Sequence, residues 1–260
     1  DLIVCKHCKS LMEEMLVKWR EWKQKVDEVK KQELLSPERH RANAEAGVLF
    51  AEYEDAKAQL KRHNARNMQI RAMKNRQIAV AKAAALDASC TAQTSVKHND
   101  DASAVPYPSV KDSSTAMQHT IKAAVHGEAD CVAGECSIYL PEPGVGSGDT
   151  NYTRECIVLD IIMTKRVGDE VLWLVSDCGP HQHNHFMLSL AQWLVDHGFY
   201  SFVVLLYLEQ EHSKMDCDAI FGILKQAFKH VTLLSFECLG RTAAKHPRKA
   251  SADKKYKVLA

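Results

Sequence analysis

The chain has 260 residues and a formal net charge of +1, so its overall charge indicates neither a nucleic-acid partner nor an acidic one. Its longest apolar run, Phe199–Leu208, is too short to cross a bilayer, and no signal peptide is visible. The nine cysteines follow no even framework and several lie in apolar segments, which is typical of reduced thiols. We expect a nuclear or cytoplasmic protein that is neither secreted nor membrane-bound and, since it begins at Asp1, part of a longer one.

The first 86 residues are predicted to be helical. After the CKHC segment, apolar residues recur every three or four positions, as in an amphipathic helix. A second helix begins at Ser36-Pro37-Glu38, which combines an N-cap, a proline at the first helical position and an acid in the first turn. The Ala-rich segment that follows can continue as helix to about Leu86.

The CKHC segment offers half of a zinc site. Cys5 and Cys8 have the spacing of two zinc ligands. The remaining ligands would be His40, another histidine or residues upstream of the sequence. Two cysteines at a helix start without a metal are the alternative.

The second helix carries a basic arm, residues 57–82, in which no acidic residue occurs. Most charge runs are only solvated helix faces, but an unbalanced run of one sign is typical of contact with nucleic-acid phosphates. We predict that this arm binds DNA, with Arg66, Arg71 and Lys74 among its contacts.

The segment Val171–Lys229 alternates strands and helices. VLWLVSD and FVVLLYL are unbroken apolar strands, separated by a helix at about residues 184–197, and this pattern indicates adjacent parallel strands covered by helices. Further elements are predicted around this unit: strands near Thr94–Asn99, at 119–126, at 136–142 and at 230–239, and a helix at 152–166. The basic tail, residues 241–260, is expected to be disordered.

Acidic residues follow the two apolar strands. Asp177 ends the first strand, and Asp216 and Asp218 open the helix that follows the second. The carboxyl ends of parallel strands share one edge of a sheet, so these carboxylates are expected to converge there. An aspartate at a strand end or helix start is often only a cap, which is the alternative for each residue taken alone.

Two segments of this unit resemble known motifs. DCGPHQHNHFMLSLAQWLV resembles D-N-C-x-G-Q-N-K-N followed by an apolar helix, and EHSKMDCDAIFGILKQAF resembles G-H-T/S-K-F/M-x-x-D-x-x-F-G-x-I-K. Together these motifs mark a eukaryotic family of transposase-derived proteins. IYLPE with its Gly-rich loop resembles the family's Y-L-I-D-E and G-x-G-x-N segment, and DDASAVPYP resembles D-F-A-Q-x-x-x-Y-P. CKHC and His40 at the start of an Ala-rich helix also fit.

The resemblance implies a fold and an activity. The fold would be α/β, an RNase H-like mixed sheet flanked by helices and preceded by a helical region, with domains at 1–86 and 87–240. The activity would be that of a DDE-type transposase, in which three carboxylates hold two Mg²⁺ or Mn²⁺ ions for DNA strand cleavage and transfer. The implied ligands are Asp100, Asp177 and Asp218.

The same resemblance leaves alternatives at several positions. Asp87 competes with Asp100 for the first acid, and Asp216 with Asp218 for the third. Gln182 and His212 would position DNA or orient a carboxylate. DNA is the implied partner, and homo-oligomerisation is compatible with the resemblance.

Departures from the motifs keep two alternatives open. The chain has Q-H-N-H where the family has Q-N-K-N, and Glu211 where it has glycine; a remnant that binds DNA without catalysis would show such changes. The alternating His181, His183 and His185 would instead indicate a zinc-dependent hydrolase, or simply a polar turn before a helix. Metal analysis and a nuclease assay separate these readings.

Overall fold

The structure is a computed structural model, which describes residues 6–31, 37–87, 93–107, 121–140, 150–180, 182–209, 215–245 and 255–259. The chain divides into two compact units, Asp1–Ala72 and Met73–Ala260. The division falls within one long helix and not at residue 86, so the end of that helix belongs with the second unit. No helix in the described part of the chain is long and apolar enough to span a membrane.

The first unit is an antiparallel pair of helices. Helix α1 spans Lys6–Lys31 and α2 spans Pro37–Leu86, which confirms the predicted helical region. Contacts along the pair are Lys25–Glu45 and Lys18–Glu52, both at 2.7 Å, and the Cys8 thiol to the Asn64 side-chain oxygen at 3.3 Å. Exposed ion pairs of this kind contribute at most about 1 kcal/mol each, so buried apolar residues such as Leu11 and Val29 carry more of the packing energy.

The second unit is built on a mixed sheet. Its strands are β1 (Gln93–Tyr107), β2 (Ile121–Asp130), β3 (Glu135–Tyr139), β4 (Asp169–Asp177), β5 (Phe202–Leu208) and β6 (Lys255–Leu259). Their order is β5-β4-β1-β2-β3-β6. Strands β1, β2 and β3 pair antiparallel, whereas β4 is parallel to both β1 and β5, and β6 is parallel to β3.

Helices cover both faces of this sheet. They are α3 (Thr150–Thr164), α4 (His185–Asp196), α5 (Asp216–Lys229) and α6 (Phe236–Lys245). One core packs α3 and α4 on β4 and β5, around residues such as Ile161 and Leu172. The other packs α5 and α6 on β2 and β3, around Ile138, Leu224 and Leu239. The predicted α/β class is therefore correct.

The strand–helix–strand unit forms as predicted. VLWLVSD and FVVLLYL lie side by side in parallel, with Val171 opposite Phe202 and Asp177 opposite Leu208. Helix α4 connects them and gives way to a turn at Gly198, whose φ of 70° suits glycine.

Two predictions near the C-terminus differ from the structure. Residues 230–239 do not form the predicted strand. Residues 230–235 are turns and bends with one bridge residue, and Phe236 begins helix α6, in which Leu239 and Ala243 are buried one helical turn apart. The tail from residue 241 is not without regular structure either, since α6 ends at Lys245 and Lys255–Leu259 pairs with β3 as strand β6.

Candidate active site

The register of β1 and β4 aligns two of the predicted carboxylates. The two strands run parallel, and His98 is paired with Val175. Two residues further along each strand stand Asp100 and Asp177. Because side chains alternate along a strand and parallel neighbours stay in step, these two carboxylates lie on the same face of adjacent strands.

Helix α5 brings the third carboxylate to this face. Asp218 lies in the first turn of α5, and its Oδ2 accepts a hydrogen bond from the Met215 N–H at 2.7 Å. The adjacent residue of α5 contacts strands β1 and β2, because the Cys217 thiol donates to the backbone oxygens of His98 and Gly127, each at 3.4 Å. Asp218 itself is exposed to solvent.

The electrostatics of Asp100 show that the three groups are near one another. Burial, and after it the charges of Asp218 and Asp177, together raise the pKa of the Asp100 carboxyl to about 8. The Asp101 N–H, which donates to Asp100 Oδ1 at 2.9 Å, acts in the opposite direction. The three aspartates singled out by the sequence therefore meet at one end of the sheet. Their mutual repulsion is the kind that a bound cation relieves.

The turn after β4 fixes Asp177. The Gly179 N–H donates to Asp177 Oδ1 at 2.9 Å, and the Cys178 N–H donates to the Leu208 oxygen at 2.8 Å. A Cβ at position 179 would lie 2.8 Å from the same Oδ1. Glycine at this position therefore lets the backbone come close enough to hold the carboxylate.

The Q-H-N-H segment has mainly internal contacts. Gln182, predicted to position DNA, is 2% exposed, and its side-chain oxygen has no hydrogen-bond partner among the described residues. The ring of His183 packs on Tyr207, with centroids 4.5 Å apart. Asn184 caps α4 by accepting from the Met187 N–H at 3.1 Å. The burial of the Gln182 side chain argues against its direct contact with DNA in this conformation.

The structure distinguishes between the competing first acids. Asp87 follows the end of α2, where its N–H donates to the Ala84 oxygen, and it is not among the charges that shift the pKa of Asp100. Asp100 is therefore the acid that joins the other two. His181 and His212 lie outside the described residues, and His183 and His185 are exposed.

The proposed half zinc site is seen only in part. Cys5 lies outside the described residues, and the Cys8 side chain is buried against Asn64. His40 cannot join Cys8, because the antiparallel pairing places the start of α2 beside the end of α1. His63 is closer, since its ring lies 4.6 Å from that of His7.

The basic side chains of the arm differ in their exposure to solvent. Arg66 is exposed and Arg71 is half-buried, but Lys74 is only 6% exposed. Lys57 is already paired with Glu54 at 2.8 Å. The burial of Lys74 argues against its predicted contact with DNA.

A polar cluster that was not expected from the sequence lies on the opposite face of the sheet. His126 lies between Asp101 and Glu128, with 2.7 Å from each ring nitrogen to a carboxylate oxygen. Burial alone would lower the pKa of His126, but the two carboxylates raise it to about 10. Beside it the Lys97 ammonium is 2.5 Å from Asp160 Oδ2 on α3. The alternation K-H-N-D-D in β1, polar on both faces, is the signal that could have indicated it.

Asp216 belongs to another set of side chains. Among the described residues, one group of three His, Cys, Asp or Glu side chains offers ligand atoms within 4.8 Å of one another: His98, Cys131 and Asp216. The three aspartates of the candidate active site do not form such a set, so their carboxylates are more widely spaced. Asp216 therefore belongs with His98 and Cys131, whereas Asp218 is the residue of α5 whose charge acts on Asp100.

Comparison with known proteins adds no relative: no protein-family model matches the chain, and no curated protein matches it.

Proposed function

We propose that the chain is a transposase-derived domain with an RNase H-like fold, which cleaves and transfers DNA strands with the help of divalent cations. Asp100, Asp177 and Asp218 would hold two Mg²⁺ or Mn²⁺ ions. The observation that carries this proposal is the position of the three acids. Asp100 and Asp177 lie on one face of adjacent parallel strands, and Asp218 is close enough for its charge to raise the pKa of Asp100. The resemblance implied these same three residues.

The positions of the three acids support the proposal. An RNase H-like enzyme has one acid on its first strand, one after its fourth strand and one on a late helix. Here Asp100 lies within β1, Asp177 is the last residue of β4, and Asp218 is in the first turn of α5. The antiparallel β1-β2-β3 meander with β4 and β5 added in parallel to β1 suits that fold.

The donor atoms fit the expected cations. All three side chains offer carboxylate oxygens, the ligands that hard ions such as Mg²⁺ prefer. When bound, a pair of such ions activates the attacking oxygen and stabilises the leaving one. Backbone N–H groups of Asp101 and Gly179 orient the carboxylates of Asp100 and Asp177 through one oxygen each. Negative charge concentrated at this point would keep DNA away until cations neutralise it.

One observation favours the second candidate, a DNA-binding remnant without catalysis. The Asp218 carboxylate already serves as a helix cap, because its Oδ2 accepts from the Met215 N–H. An aspartate in this position stabilises α5 whether or not a metal binds. A protein that had lost catalysis would still keep it.

A nuclease assay separates the two candidates. Supercoiled plasmid and linear duplex DNA would be incubated with the full chain, with Mg²⁺, Mn²⁺ or chelator. We expect cleavage only with the cations, and none in Asp100→Asn, Asp177→Asn or Asp218→Asn. In each variant the amide keeps a hydrogen-bond acceptor but removes the charge.

Asp196→Asn is the matched control, because Asp196 is an exposed acid at the end of α4 whose partner is Gln192. It should cleave like the unmodified chain. DNA binding without cleavage under every cation would leave the remnant as the better account.

A further inference from the structure

We propose that His98, Cys131 and Asp216 form a second metal site, which binds a single divalent cation of the zinc class beside the three aspartates. The site brings together β1, the turn after β2 and the first residue of α5. It would stand whether or not the protein cleaves DNA.

The distances are close to those that a metal requires. The three ligand atoms lie within 4.8 Å of one another, and His98 Nδ1 is 3.9 Å from Asp216 Oδ2. The Asp216 carboxylate also acts on the Cys131 thiol, whose pKa is raised first by burial and then by the charge of Asp216; the thiol itself donates to the Ala129 oxygen at 3.8 Å. In a tetrahedral zinc site, bonds of about 2.0 Å to nitrogen or oxygen and about 2.3 Å to sulfur place ligand atoms roughly 3.5 Å apart. Small side-chain rotations would reach that geometry.

The backbone already holds the ligands in place. The Asp216 N–H donates to His98 Nδ1 at 3.3 Å, although the two residues are 118 positions apart, and a cation bound through Nδ1 would replace this hydrogen bond. The Cys131 N–H donates to the Val96 oxygen at 2.9 Å. Ordering these groups therefore costs little when a cation arrives, since folding has already brought them together.

The donor set selects a different metal from that of the aspartates. A thiolate, an imidazole and a carboxylate suit zinc and similar borderline ions, whereas Mg²⁺ prefers oxygen alone. His98 and Cys131 are 2% and 3% exposed, while the side chain of Asp216 is 42% exposed. The buried pair would shield the metal, and the exposed side would admit it and leave room for a fourth ligand.

Lys74 on α2 is the charge that competes with this cation. It is buried, and its ammonium acts on the Cys131 thiol. The ammonium opposes a metal by repulsion but also favours the thiolate that a metal needs. The alternative is a polar cluster that never binds metal, formed by Lys74, Asp216, His98 and Cys131. The experiment must distinguish this cluster from a metal site.

A metal here would stabilise the position of the third aspartate. His98 is two residues before Asp100, and Asp216 is two residues before Asp218. A cation shared by His98 and Asp216 would therefore tie the first turn of α5 to β1. It would be a positioning site and not part of the chemistry.

Cobalt is the probe for this site, because a cobalt–thiolate bond has its own charge-transfer absorption. The full chain with Cys5→Ser and Cys8→Ser, which removes the N-terminal cysteine pair, would be reduced, stripped of metal and titrated with Co²⁺. We expect one Co²⁺ per chain with a thiolate band, displaced by Zn²⁺ but not by excess Mg²⁺. Added Cys131→Ser should abolish the band, and added Cys238→Ser, at a half-buried cysteine on α6, should leave it unchanged.

The variants also provide the outcomes that overturn the proposal. Asp216→Asn alters only a half-exposed side chain, so it tests the site if Cys131→Ser fails to fold; it should weaken Co²⁺ binding. Absence of the band, or a band that survives both Cys131→Ser and Asp216→Asn, would show that the cluster binds no metal. Loss of DNA cleavage with an intact band would instead contradict only the proposed nuclease activity.

Discussion

Asp100 is the residue on which the candidate site depends most. It lies where β1 turns from pairing with β4 to meeting α5, and burial together with two neighbouring carboxylates raises its pKa to about 8. A carboxyl in this state holds a proton near neutral pH that it would lose in the unfolded chain. Proton binding and metal binding therefore compete for the same group.

This competition predicts a pH dependence of stability. Between the ordinary pKa of 3.8 and about 8 the folded chain holds a proton on Asp100 that the unfolded chain does not. The free energy of unfolding should therefore fall as pH rises through this window, by at most about 1.4 kcal/mol per pH unit from this group.

Denaturant titrations without divalent cations measure this effect. The pKa values of His126 and Glu128 are also raised. The informative quantity is therefore the difference between the unmodified chain and Asp100→Asn in how the free energy of unfolding changes with pH. The variant should lose the Asp100 part of the slope and gain relative stability at the alkaline end. Identical slopes would show that Asp100 is not strained by its neighbours.

Gly179 gives a second prediction at this scale. In Gly179→Ala the new Cβ would lie 2.8 Å from Asp177 Oδ1, and that short side chain would have to turn away. We expect cation-dependent cleavage to be lost while the free energy of unfolding changes by only about 1 kcal/mol. Gly222→Ala is the control, because a Cβ there meets nothing within 4 Å. Full activity in Gly179→Ala would mean that the orientation of Asp177 is unimportant.

At the scale of elements, helix α2 serves two different surroundings. Its earlier part pairs with α1, whereas from Met73 onwards it belongs to the unit that contains the sheet. Its basic residues therefore differ in role, as the exposed Arg66 and the buried Lys74 illustrate. Only the exposed ones can reach phosphates.

DNA binding by the basic arm should follow this difference. Arg66→Glu and Arg76→Glu, both at exposed positions, should weaken binding to all duplex sequences alike and reduce the dependence of log affinity on log salt by roughly one per lost contact. Lys74→Glu should instead lower the free energy of unfolding, because it places a negative charge in a buried position.

Fluorescence anisotropy across a range of salt concentrations, with denaturant titrations of the same proteins, would check this. Arg20→Glu on α1 is a charge-matched control away from the arm. An affinity that does not change with salt or with the exposed substitutions would show that the arm is an ordinary solvated helix face that does not bind DNA.

At the scale of the whole molecule, the packing of the hydrophobic core offsets the electrostatic repulsion among the three carboxylates. The α5–α6 core, which includes Ile138 and Leu224, holds α5 against β2 and β3, and the Cys217 thiol fastens it next to Asp100. Repulsion among the aspartates therefore weakens the second unit unless cations bind. Divalent cations should therefore raise the free energy of unfolding of the second unit.

This predicts stabilisation by mass action. Mg²⁺ or Mn²⁺ at about a hundredfold excess over its dissociation constant should raise the free energy of unfolding of the second unit by about 2.7 kcal/mol. Thermal or denaturant unfolding followed by tryptophan fluorescence, where Trp173 and Trp193 report on the second unit, would measure it. Asp177→Asn and Asp218→Asn should abolish the effect, and Asp196→Asn should keep it. No stabilisation in the unmodified chain would make the aspartates structural.

The sequence by itself determined the features that repeat over short distances. The helical period after CKHC and the apolar runs VLWLVSD and FVVLLYL specify their elements locally, because burial of one face follows from spacing alone. The motif-like segments also picked Asp177 and Asp218, since both stand at the ends of strongly patterned elements.

Only the tertiary structure decided what depends on partners distant in the chain. The register of β1 on β4 set Asp100 beside Asp177 and left Asp87 aside. The packing of α5 on β1 turned Asp216 toward His98 and left Asp218 near Asp100. No local spacing encodes these choices, because burial and proximity to charge come from long-range packing, and these govern which carboxylates repel and which cations they can bind.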